Sequence, residues 1–110
     1  MFLTPVKMGQ AAVGTGAGTL IYTAPTGITS LIKCLDACNT TTGALTLSVY
    51  LVPSGGAVAT SNALVYGISI PASSVYQWTG TQCITAGGFI RAVASGVGLT
   101  INISGGEYAP

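Results

Sequence analysis

The chain has 110 residues, which is enough for one domain with a single modest core. Charged residues make up only 5% of it (three basic, two acidic, no histidine), against roughly 25% in an ordinary domain. The charge-free stretch between Asp36 and Arg91 is interrupted throughout by Thr, Ser, Asn, Gly and Pro, which excludes a membrane-spanning helix, and a mean hydropathy of +0.68 argues against disorder.

The first predicted element is a glycine-rich lead-in. Its N-terminus, MFLTPVKMGQ, lacks the features of a signal peptide, and VGTGAGTL (residues 13–20) carries glycine at every second position. A phosphate-binding loop would need a helix or a Gly-Lys-Ser/Thr triplet to follow. Instead, β-branched residues follow, and Pro25 interrupts them. We therefore expect residues 1–18 to be a glycine-rich N-terminal arm or edge strand of a single β-sandwich domain spanning residues 1–110.

The segments that follow are predicted strands. ALTLSVYLV (residues 44–52) alternates apolar residues with polar ones and places Tyr50 on the polar face, while the alternation in LVYGISI places Tyr66 on the same face as Ile70. Gly, Pro, Asn and Ser separate the segments, as is typical of turns. Seven or eight such strands predict an all-β fold, an antiparallel β-sandwich that is jelly-roll-like. The other predicted strands are TLIYT, ITSLIKCLDA, SVYQW, GFIRAVAS and GLTINIS.

Three cysteines limit the possible cross-links. Cys34 and Cys38 lie roughly 13 Å apart on one face of a predicted strand, beyond the roughly 7 Å that a disulfide allows between Cα atoms. Pairing of Cys38 with Cys83 stays geometrically open. The odd count indicates mostly reduced thiols. Three thiols without a CxxC spacing and without histidine are a poor ligand set, so we expect no metal and no cofactor.

The residue types disfavour catalysis and nucleic-acid binding. Without histidine the commonest general base is missing, so we expect no enzyme, no catalytic residue and no small-molecule substrate. Three dispersed basic residues cannot form a phosphate-binding patch, so neither nucleic acid nor membrane is an expected partner. The candidate interface residues are Tyr50, a potential exposed anchor, Trp78, and Arg91 with Glu107, which we expect to form an ion pair.

The surface itself is the most informative feature of the composition. A folded monomer of this size exposes roughly 5,600 Å², about one charge per 1,100 Å². A typical interface covers about 800 Å² per partner, so a whole contact patch can be free of charge. The composition therefore predicts that much of the surface is covered by neighbouring chains.

The phrases DACNTT, LSVYLVPSGG, SNALVYG, IPASSVYQWTG, GGFIRAVASG and ISGGEY resemble the small virion proteins of tailed bacteriophages, in particular their capsid cement or decoration proteins. The resemblance covers the chain from about Thr19 to Tyr108. It implies a jelly-roll-like β-sandwich that self-associates and clamps neighbouring subunits of the major capsid protein. The implied location is the outer capsid surface of the virion, after synthesis in the cytoplasm of the host bacterium.

The expected partners are thus the major capsid protein and the chain itself. For the homo-oligomer, a dimer is favoured over a trimer because two-fold interfaces are commonest. A neck, tail or fibre location is also open. The alternative function is a carbohydrate-binding or host-adsorption module of a phage tail or fibre, with Trp78 and a tyrosine as stacking platforms.

Overall fold

Residues 3–108 are described in the computed structural model, and they form eight β-strands and one turn of 3-10 helix, Thr60–Asn62. Among these residues no helix has the length and apolar character that crossing a membrane would require. The strands are β1 Thr4–Ala12, β2 Thr19–Thr23, β3 Thr29–Asn39, β4 Leu45–Val52, β5 Ala63–Ile70, β6 Val75–Ile84, β7 Phe89–Ala94 and β8 Leu99–Tyr108.

The strands form two four-stranded antiparallel sheets. Sheet A has the order β1-β8-β3-β6, and sheet B has the order β2-β7-β4-β5. Every connection between consecutive strands passes from one sheet to the other, except the one from β4 to β5. This is the arrangement of a double-sheet jelly roll. The predicted antiparallel β-sandwich is confirmed, with eight strands.

The core lies between the sheets and consists of aliphatic side chains. In β8 the side chains of Leu99, Ile101 and Ile103 are fully buried, and the residues between them face outward. β3 contributes Leu35 and Ala37 in the same way. Because one face of each central strand is packed and the other is not, a period of two in the sequence was sufficient to locate these strands.

β5 departs from the predicted alternation. Leu47 of β4 pairs with Ile68, but Val49 pairs with Val65, so β5 contains one extra residue between the two pairs. The bulge includes Gly67, whose φ of 59° lies in the left-handed region that favours glycine. The extra residue reverses the facing of the side chains before it. Val65 is therefore buried, and Tyr66 is 66% exposed, so the predicted orientation of Tyr66 was wrong.

Tyr50 is the second correction. It lies on the outer face of sheet B, as the alternation predicts, but its side chain is only 9% exposed. The connection from β4 to β5 folds back at this point, since its 3-10 helix, Thr60–Asn62, lies against β4 and the next residue, Ala63, is the register partner of Tyr50. A predicted polar face was thus covered by a loop, and Tyr50 is not an exposed anchor.

The three cysteines are free thiols. Cys83 pairs with Leu31 near the start of β3, whereas Cys38 lies at the far end of that strand, opposite Val75. Seven residues of extended chain separate Leu31 from Cys38, which corresponds to roughly 23 Å. A disulfide between Cys38 and Cys83 is therefore excluded.

Candidate functional site

Residues 3–108 contain no group of three or more His, Cys, Asp or Glu side chains that could hold a metal ion. Two shallow depressions lie beside Leu51 and Cys83, and titratable side chains do not converge in either. The candidate site is therefore a surface, and its charges and strand edges decide what it can bind.

The three basic side chains all bind neutral neighbours. Lys7 Nζ donates to Gln10 Oε1 at 2.7 Å, and Lys33 Nζ donates to Thr81 Oγ1 at 2.7 Å. Arg91 donates to a backbone carbonyl of the β1–β2 connection at 3.4 Å. Each ammonium or guanidinium group is thus hydrogen-bonded to a neutral oxygen at the surface and not to a carboxylate.

The predicted ion pair between Arg91 and Glu107 is wrong. Arg91 lies on the outer face of sheet B, with its guanidinium carbon 5.9 Å from the centre of the Phe89 ring. Glu107 is in β8 of sheet A and pairs with the fully buried Ser30, so it faces the space between the sheets. Its carboxylate accepts a hydrogen bond from the Tyr22 hydroxyl. Nothing in the local sequence links Tyr22 to a carboxylate 85 positions away.

Tyr22 joins the two sheets through a small polar network. Its hydroxyl donates to Glu107 and shares a 2.6 Å hydrogen bond with Ser30 Oγ, in which Ser30 must be the donor because the tyrosine has a single hydroxyl proton. Burial, reinforced by the neighbouring Glu107 carboxylate, raises the pKa of Tyr22 to about 12. The hydroxyl therefore remains a donor far above neutral pH, and it connects β2 of sheet B with β3 and β8 of sheet A.

The sandwich has a closed side and an open side. On the closed side the edge strands β1 and β2 contact each other, and the Tyr22 network connects the sheets beside them. On the open side the edges are β5 and β6. The larger of the two depressions lies between them and forms a groove of about 330 Å³. Its lining residues are Leu51, Ser61, Asn62, Ala63, Leu64, Gln82 and Cys83.

The two edges of sheet A differ in how they resist pairing with another strand. β1 carries Pro5, Lys7 and a bulge at Met8, all of which interrupt a continuous edge. β6 has neither a charged residue nor a proline in ten residues. Its first five residues, Val75–Thr79, pair with β3 without a break, and the Val75 side chain is 60% exposed. The β6 edge is thus a regular, uncharged row of unpaired backbone donors and acceptors.

Trp78 lies on this edge but faces the core. It pairs with Leu35 and its neighbour Tyr76 pairs with Ala37, both fully buried residues of β3. The two aromatic rings are half-buried and pack against the core from the open side. Trp78 therefore does not present its ring on an outer face, where a stacking platform for sugars would be expected.

The outer face of sheet A carries a row of amide side chains and one carboxylate. Across the four strands the row is Gln10, Asn102, Asp36 and Gln77. Asp36 Oδ1 is buried and has no hydrogen-bond partner among the described residues, while Oδ2 accepts a weak bond from Cys34 Sγ at 3.8 Å. Burial, together with the Asp36 charge, raises the pKa of the Cys34 thiol. No motif in the sequence marked this row.

Sequence reasoning also missed the role of Asn39. Its side chain is fully buried, and its amide nitrogen donates to the carbonyls of Gly43 at 2.8 Å and Ile70 at 2.9 Å. Its Oδ1 accepts from the Thr41 backbone and hydroxyl. The composition of NTTTG predicted a turn here. It did not predict that the Asn39 side chain would hydrogen-bond both within the turn and to the end of β5.

Of the predicted interface residues, the structure brings only Tyr50 and Arg91 together, as register partners on sheet B. Trp78 and Glu107 lie on separate strands of sheet A. No protein-family model, curated protein or solved structure matches this chain. The functional inference therefore depends on its surfaces and edges.

Proposed function

We propose that this chain is a structural virion protein: a capsid cement or decoration protein that binds the assembled shell of major capsid protein and also binds copies of itself. In this role it performs no catalysis and needs no cofactor, nucleic acid, membrane or small-molecule substrate. It is made in the cytoplasm of the bacterial host and ends on the outer capsid surface.

The observation that supports this proposal most strongly is the distribution of charge. The folded chain exposes 5488 Å² and has five charged residues, one of which, Glu107, faces the space between the sheets. Removing a charge from water is costly unless it is paired. A partner can therefore cover most of this exterior at a small electrostatic cost, whereas a surface of ordinary composition would have to desolvate many charges.

The proposed mechanism is stabilisation by mass action. A protein that binds the assembled shell, and not the free subunits, shifts the assembly equilibrium toward the shell. At a free concentration of 100 times Kd, each occupied site contributes about 2.7 kcal/mol. Many copies fixed by the symmetry of the shell act at high effective concentration, so individually weak contacts are sufficient.

The competing proposal, a carbohydrate-binding or host-adsorption module, has less support. Such a site needs exposed aromatic rings, but Trp78 faces the core and Tyr50 is buried. Tyr66 is 66% exposed, yet it stands alone on a bulged edge strand. One ring is a poor platform for recognising a sugar chain.

The test is to compare virus particles that contain this protein with particles that lack it. Electron microscopy of the two should show density on the outer shell only where the protein is present. The particles that lack it should rupture at a lower temperature, and adding back purified protein should restore the higher value. Free capsid subunits serve as the control and should not bind. A purified protein that ignores the shells and binds glycans would contradict the proposal.

A further inference from the structure

The uncharged β6 edge is suited to pairing with a strand of another chain. In an antiparallel sheet every second residue of an edge strand directs its backbone N–H and C=O away from the sheet. Along Val75–Thr79 nothing interrupts this row, since the segment has no proline, bulge or charge. The β1 edge of the same sheet has all three of these interruptions, so the two edges are not equivalent.

A second copy of β6 is a self-complementary partner for this edge. When two identical strands pair antiparallel about a two-fold axis, side chains on the same face meet only if the axis passes through a residue position. Centring the axis on Gln77 overlaps all five regular residues of both copies. Val75 then lies opposite Thr79 of the other copy on the outer face. On the inner face Tyr76 lies opposite Trp78 of the other copy, an aromatic cross-strand pair of the kind that stabilises sheets.

We propose that two copies of this chain pair antiparallel along β6 about a two-fold axis at Gln77, joining their A sheets into one eight-stranded sheet. The proposal specifies the surface that mediates the self-association included in the proposed function. Val75, which is 60% exposed in one copy, is covered in the pair. The open side of the sandwich becomes the interface, and the closed side remains free.

The size of the edge sets the strength of the pair. The five paired residues span roughly 17 Å, and with a sheet flank about 10 Å deep they offer roughly 170 Å² in projection. Stable interfaces cover about 800 Å² per partner, so the isolated pair is a weak dimer. Copies held on one shell are at high effective concentration, which favours pairing there.

Sedimentation equilibrium of the full chain at loadings from about 10 µM to 1 mM tests the pair in the range expected for a small interface. The key variant is Gln77→Lys, which places two ammonium groups opposite each other at the axis, each also beside Asp36 of its own chain. Gln10→Lys is the control for adding a charge to the same outer-face row at the β1 edge, away from the axis, and it also removes the acceptor of Lys7. We expect the parent and Gln10→Lys to dimerise alike, and Gln77→Lys to associate about threefold to fivefold more weakly.

Cross-linking tests the same register without depending on that variant. In a Cys83→Ser background, which removes the exposed thiol, Gln77→Cys should give a covalent dimer with a short bismaleimide, and Gln10→Cys should not. A parent that is monomeric up to 1 mM, equal cross-linking at both positions, or a dimer indifferent to Gln77→Lys would overturn the proposal.

Shell binding by Gln77→Lys, measured in parallel, separates this proposal from the proposed function. A chain that stays monomeric but still stabilises shells overturns the β6 pair alone. A chain that dimerises through β6 but ignores shells contradicts the cement function alone. If the parent is monomeric and Gln77→Lys no longer binds shells, the β6 edge is not occupied by a second copy. That result would assign the edge to a strand of the capsid protein.

Discussion

The closed and open sides of the sandwich differ in how far their edge strands are protected from pairing with another strand. On the closed side β1 and β2 contact each other, proline and lysine interrupt the β1 edge, and the Tyr22 hydroxyl connects the two sheets. On the open side the sheets leave a groove of about 330 Å³, and β6 has an uninterrupted edge. One side thus completes the fold of a single chain, and the other leaves the free edge that the proposed β6 pair requires.

This comparison also explains where the few charges are used. Lys7 protects an edge, and Glu107 accepts the hydrogen bond that connects the sheets. β6 and β5 have no charge at all. In a chain with five charged residues, the lack of charged residues in these two edge strands lowers the usual barrier to edge-to-edge association. The Lys33 ammonium reaches β6 at Thr81, outside the segment Val75–Thr79.

The largest effect is expected at Gly105 of β8, which lies directly against the backbone of β3. A Cβ at Gly105 would overlap the carbonyl oxygen of Leu31, so Gly105→Ala must push the two central strands of sheet A apart. We expect a loss of about 3 kcal/mol or more in the free energy of unfolding, measured by urea denaturation. Gly43→Ala is the control, because no atom lies within 4 Å of its Cβ position, and it should change stability by less than about 0.5 kcal/mol. Equal losses would contradict the close approach.

The second effect tests the bridge on the closed side. Tyr22→Phe removes the donor to Glu107 and leaves the buried Ser30 hydroxyl without its acceptor, so we expect a loss of about 1–2 kcal/mol at pH 7. Tyr66→Phe is the matched control on the open side, where the ring is 66% exposed. It should be neutral within about 0.5 kcal/mol in the same urea titration. A neutral Tyr22→Phe would show that the sheets do not depend on this bridge.

The same bridge should respond to high pH. The pKa of Tyr22 rises from 10.0 in the unfolded chain to about 12 in the folded one, because burial and the Glu107 carboxylate oppose the phenolate. The unfolded chain therefore ionises first, so the contribution is complete below pH 10 and is lost as the pH rises through 12. The stability difference between the parent and Tyr22→Phe should shrink over that window. Other titrating groups are common to both proteins and cancel, so a difference that stays constant to pH 12 would contradict the assignment.

The smallest effect is expected on the open side. Thr81→Ala removes the acceptor of the Lys33 ammonium, but both side chains are exposed and water replaces the bond. We expect a change of less than about 0.5 kcal/mol in unfolding free energy for the monomer. A loss comparable to that of Tyr22→Phe would mean that the open side is also needed for the fold of a single chain.

The strands and the sandwich were predictable because burial on one face imposes a period of two, as in β8 and in most of β4. The orientation of Tyr66 was not, although a glycine inside a strand pattern, here Gly67, is a known sign of a bulge. The burial of Tyr50 depends on where a loop folds back, which local alternation cannot indicate.

The polar contacts were less predictable than the strands. The pairing of Glu107 with Tyr22, and not with Arg91, depends on which strands become neighbours across two sheets. The scarcity of charge identified the surface as the candidate site, but it could not show which edge is unprotected. That distinction required the strand order, which places β1 and β6 at opposite edges of sheet A.

The most direct measurement of the difference between the two sides is hydrogen exchange of backbone amides at low and high protein concentration. We expect the outward-facing amides of Val75–Thr79 to become protected as the concentration rises, because they then donate to a second copy, while the β1 amides exchange at an unchanged rate. If instead the exchange rates of the β6 amides did not change with protein concentration, as is expected for the β1 amides, the open side would not be an assembly edge.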